Sequence, residues 1–68
     1  MNEDALNMSL RKFLKKVGVT AQRAIEDAVR EAHAAGRLEG RERLPARMHL
    51  TLGETELDLA IEGEIELR

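Results

Sequence analysis

"RKFLKKVGVTAQRAIEDAV", residues 11–29, decides the fold. Apolar residues arrive at helical spacing, Gly-Val-Thr interrupts them, and helical spacing resumes. The stretch reads either as a DNA-reading helix-turn-helix or as two helices folding back on each other to build a core. Working upstream, Leu6, Leu10, Phe13, Leu14 and Val17 fall within one arc of a nominal helix, with Arg11, Lys12, Lys15 and Lys16 opposite. That pattern predicts an amphipathic helix over residues 4–17, with Asn2, Asp4, Asn7 and Ser9 competing as its N-cap. Gly18 suits the left-handed conformation that closes a helix, and Val19 and Thr20 then read as the N′ and N-cap positions of the next. The second helix is expected from Ala21 to Ala35, stopped by Gly36. Ala21, Ala24, Ile25, Ala28, Val29 and Ala32 share a face, so its seam is mostly alanine. Glu26 and Arg30 stand at i,i+4 in the favourable order.

Downstream, Arg37 to Arg47 ("RLEGRERLPAR") is charged, holds Gly40 and Pro45, and reads as a loop. From Met48 the period changes to two. Met48, Leu50 and Leu52 alternate with His49 and Thr51, and Leu57, Leu59, Ile61, Ile65 and Leu67 alternate with acids, Ala60 and Gly63. Such alternation marks strands with one wet face. "GETE" at 53–56 closes a four-residue hairpin that sets Leu52 against Leu57, Leu50 against Leu59 and Met48 against Ile61. In that register every apolar side chain lies on one face. A rival register pairs residues 63–67 with 48–52 and leaves 54–62 as a bulging loop or helical turn; the simple hairpin is favoured. The expected fold is α+β, in the order α-α-β-β, with one sheet face packed on the helices. Its parts are a helical hairpin over 1–36, a charged loop over 37–47 and a β-hairpin over 48–68, all in one small domain.

Composition narrows the function classes. At 68 residues, with no cysteine and Phe13 as the only aromatic, the chain has a thin core of Leu, Ile, Val, Met and Ala. Self-association is one way to complete such a core. No apolar run approaches the roughly 18 residues that span a bilayer. The acidic start Met1-Asn2-Glu3-Asp4 lacks the basic opening of a secretory signal. A cytoplasmic location is expected. The net charge of −2 hides an asymmetry: residues 1–46 carry nine Lys/Arg against seven Asp/Glu, and residues 47–68 carry two against six. A bipolar molecule does not wrap a polyanion with its whole surface.

The helix-turn-helix reading fails on register and charge. The usual pattern wants a small residue four before the turn glycine and aliphatic residues six and nine after it. Those positions hold Leu14, Ala24 and Asp27, and Ile25 is one place out of register. Between Thr20 and Gly36 there are two arginines and three acids, so this helix would repel phosphates. Arg11, Lys12, Lys15 and Lys16 stay as a candidate partner-binding patch, and no interleaved aromatics support base stacking. Glu54, Glu56, Asp58, Glu62, Glu64 and Glu66 alternate as an outer strand face does and form no D-x-D-x-D-G loop. They also guard exposed edges. His33 and His49 have no cysteine company and no ligand spacing, so no metal site is expected. One serine and three threonines lack an organised base, and there is no glycine-rich phosphate cradle. No catalytic residue and no cofactor are expected.

"MNED", "NMSLRKFLKKVGVTAQRAIEDAVREA", "LPA" and the closing "GEIEL" together resemble a small bacterial, mostly proteobacterial, family of uncharacterised proteins, over essentially the whole chain. The resemblance implies a compact stand-alone bacterial protein and supplies no catalytic residues. The expectation is a non-enzymatic interaction module that binds a protein partner or itself. The alternative is a nucleic-acid-associated regulator acting through the basic face of the first helix.

Overall fold

The computed structural model describes all residues, Met1 to Arg68, and divides them into two compact units, Met1–Leu38 and Glu39–Arg68. The first unit is a single helix, α1, over Glu3–Ala34. The second is an antiparallel ribbon of β1, Arg43–Thr51, and β2, Asp58–Glu66. The class is α+β and the order is α-β-β.

The expected two-helix hairpin does not form. Gly18, Val19 and Thr20 lie inside α1, and only Gly36 and Gly40 among the glycines take a positive φ. A break at Gly18 would leave two helices of about 15 residues, each near the length below which helices are marginal in water. It would also expose a fresh set of unpaired backbone N–H and C=O groups. Continuing through one glycine costs about 1 kcal/mol relative to alanine. The apolar phase supports continuity as well. Val17 and Ala21 are spaced i,i+4 across the glycine, so both halves present one face.

Both ends of α1 are chemically specified. Asn2 caps the start: its Oδ1 accepts from the Ala5 backbone N–H at 3.0 Å, and Glu3 and Asp4 place negative charge in the first turn. Of the four competing caps, Asn2 is the one used. Ser9 lies inside the helix and donates to the Leu6 carbonyl at 3.0 Å. At the other end Gly36, the expected stop, has φ of 76°. Its N–H donates to the His33 carbonyl, and the Arg37 N–H donates to the Ala32 carbonyl, both at 3.0 Å. This is the paired Schellman arrangement that satisfies the last carbonyls. The Glu26–Arg30 pair does not form; Arg30 Nη1 instead lies 3.9 Å from Asp27 Oδ1.

In the ribbon, Met48 pairs with Ile61 and Leu50 with Leu59, so the simple hairpin register is the one formed. The ladder runs further back than the sequence suggests. Leu44 pairs with Ile65 and Arg43 with Glu66, inside the stretch expected to be a loop. The Leu67 N–H donates to the Glu42 carbonyl at 2.8 Å just beyond the ladder. Hydrogen-bonded and non-bonded pairs alternate in an antiparallel ladder. Counting from that bond puts Pro45 at a non-bonded position, its nitrogen turned away from β2. Proline is tolerated there. The turn is held by Thr55, whose hydroxyl donates to the Leu52 carbonyl at 2.7 Å and accepts from the Leu57 N–H at 3.2 Å. Glu54 takes φ of 61°, a left-handed residue that is not glycine.

Neither unit has an inside. A lone helix and a two-stranded ribbon each expose both flanks of every residue, and no side chain in the protein is buried. The sheet face expected to rest on a pair of helices is open, with Leu59 47% and Ile61 52% exposed.

Candidate functional site

Three surfaces carry the chemistry. The first is the apolar stripe of α1. Leu6, Leu10, Phe13 and Leu14 are all exposed, and Val17, Ala21, Ile25, Val29 and Ala32 are half-buried along the same face. The bulk is uneven. Leucine and phenylalanine fill the N-terminal half, and alanine dominates the C-terminal half.

The second surface is the basic patch. The structure brings Arg11, Lys12, Lys15 and Lys16 together on adjacent turns of α1, all exposed. None of them forms an ion pair within its own chain, because the four ion pairs of the molecule lie elsewhere. Met8, 73% exposed, projects on the same side. The helix-turn-helix half of the nucleic-acid reading is overturned. With no turn at Gly18 there is no separate recognition helix to enter a groove.

The third surface is the ribbon, whose two faces are chemically distinct. Leu44, Ala46, Met48 and Leu50 face the same way as Ile65, Gly63, Ile61 and Leu59. On the other face a basic strand meets an acidic one. Arg47 Nε lies 3.8 Å from Glu62 Oε1, His49 Nε2 lies 2.6 Å from Asp58 Oδ1, and Arg43 is paired in register with Glu66. Beyond the ladder the polarity reverses, with Arg68 Nη1 lying 4.0 Å from Glu42 Oε1. All these groups are exposed, so each pair is worth at most about 1 kcal/mol; their main effect is to disfavour a slipped register. The outer-face placement expected for His49 and the β2 acids is the one observed. The basic half of this face was missed in the sequence because Arg43 and Arg47 fall in the apparent loop. The alternation of Leu44 and Ala46 around Pro45 was the available signal.

No three His, Cys, Asp or Glu side chains converge on a point where a cation could sit. His33 occupies the last turn of α1, where the helix dipole favours a cation, and His49 belongs to the other unit. An open depression of about 350 Å³ lies over Pro45, Ala46, Arg47, Glu62 and Gly63. It is the gap left where a methyl group and a hydrogen stand opposite each other at the Ala46–Gly63 pair. No helix is long and apolar enough to cross a membrane.

These features define a class: a small α+β chain of one long amphipathic helix and one charge-laddered ribbon, with apolar faces on both. The chain belongs to a family of unknown function, DUF6494, whose model matches residues 1–68. No curated protein and no solved structure matches it.

Proposed function

We propose that the protein is a non-enzymatic interaction module of the bacterial cytoplasm whose fold is completed by association with a protein surface or with itself. One observation carries this reading. No residue is buried, while Leu6, Leu10, Phe13, Leu14, Met48, Leu59 and Ile61 stand exposed in two coherent faces. Ordering each residue costs about 1–2 kcal/mol of backbone entropy, and burial of apolar surface is the main term that offsets it. An isolated ribbon of two strands is marginal in water for the same reason. Association supplies the missing burial. No cofactor, membrane or small-molecule ligand enters this reading. The nucleic-acid alternative now rests on Arg11, Lys12, Lys15 and Lys16 alone, and phosphate binding by them must weaken steeply with salt.

The test is sedimentation velocity paired with far-UV circular dichroism over a hundredfold range of protein concentration. Helicity and mass are expected to fall together on dilution, or a bound partner to copurify and restore both. A monomer that unfolds cooperatively, at the same temperature at every concentration and with nothing bound, overturns the proposal.

A further inference from the structure

The stripe on α1 has an internal repeat. Leu6, Val17 and Ala28 are spaced by eleven residues; so are Leu10, Ala21 and Ala32, and so are Phe13 and Ala24. Eleven residues make three turns at 3.67 per turn, close to the natural 3.6, so such a stripe runs nearly straight along the helix. Two helices with this repeat can remain in contact over their whole length without the left-handed coiling that a heptad imposes.

We infer that α1 pairs with α1 of a second copy, antiparallel, about a two-fold axis level with Val19. The inference rests on the interaction reading above and names its partner. Shape selects this arrangement. An axis at Val19 sets Leu6 level with Ala32, Leu10 with Ala28, Phe13 with Ile25, Leu14 with Ala24 and Val17 with Ala21. Four of these five pairs place a bulky side chain against alanine, so large and small alternate across the seam and the axes stay evenly spaced. A parallel pair instead sets Phe13 against Phe13 and Ala24 against Ala24. It is crowded at one end and hollow at the other, and both defects destabilise.

Charge does not choose between the two arrangements: Arg11, Lys12, Lys15 and Lys16 are turned away from the stripe, so in either pair they face solvent.

The chain has no cysteine, so single-cysteine variants carry one spin label each. Met8→Cys and Gln22→Cys both lie at exposed positions, off the centre of the stripe. In the antiparallel pair the two labels at position 22 are separated by about 9 Å along the axis, and the two at position 8 by about 33 Å, at 1.5 Å per residue. A pulsed dipolar measurement is expected to read a short distance for the first variant and a long one for the second. Equal short distances at both positions indicate a parallel pair and overturn the inference. Sedimentation of the same samples separates the two proposals. An oligomer without these distances, or a complex with a different protein, sinks the antiparallel pair and leaves the interaction reading standing. A cooperative monomer sinks both.

Discussion

Gly18→Ala discriminates between a corner and a continuous helix by the sign of its effect. At Gly18 the backbone is helical, and a Cβ built there meets nothing within 4 Å. The substitution therefore adds no packing and relieves no clash. What remains is intrinsic propensity: alanine in a helix interior is favoured over glycine by about 0.8–1.0 kcal/mol, mostly through the entropy of the unfolded chain. Gly18 also sits about 100° around the helix from Val17, to the side of the stripe, so a paired helix leaves that space free. For a chain of this size about 1 kcal/mol corresponds to a rise of roughly 4–8 °C in melting temperature. If Gly18 instead closed a first helix in the left-handed conformation, alanine would incur about 1–2 kcal/mol of strain and melting would fall. Thermal unfolding followed by far-UV circular dichroism reads the sign directly. Wild type and variant must be compared at one protein concentration, because association makes melting concentration-dependent. A lower melting temperature, or a loss of helical signal, refutes the continuous helix.

Other outcomes follow from the ribbon. Thr55→Ala removes two hydrogen bonds that hold the turn and is expected to destabilise the ribbon by about 1 kcal/mol in urea titration, with Thr55→Ser retaining most of that stability. Pro45→Val is expected to change stability by less than about 1 kcal/mol and to leave the Met48–Ile61 pairing intact in cross-strand nuclear Overhauser effects, because residue 45 turns its nitrogen away from β2. A shift of register in that variant contradicts the placement of the ladder.

The elements differ in how plainly they can be read. The ribbon's register was legible because apolar alternation and turn length agree: a four-residue turn at 53–56 sets Met48 against Ile61 and Leu50 against Leu59, all on one face. The stop at Gly36 was legible because a positive φ is a local need that glycine meets. The basic strand end was hidden by composition, since charges and a proline look like a loop until the neighbouring strand is seen to supply acids opposite them. Arg11, Lys12, Lys15 and Lys16 share one side of α1, because a helix periodicity fixes angles without reference to anything else.

Gly18 marks the limit. By itself the sequence determined two amphipathic half-helices of the same phase, a capped start, a glycine stop and a two-faced ribbon, all consequences of local sterics and of periodicity. Whether the backbone turns at Gly18 is not a local question. A glycine accepts the helical and the left-handed conformation alike, so the difference is set by what else the halves could bury. In the three-dimensional structure they run as one helix, and a stripe that would have been folded against itself is left continuous from Leu6 to Ala32. That continuity makes the eleven-residue repeat meaningful and turns the uneven distribution of leucine and alanine into one side of a match.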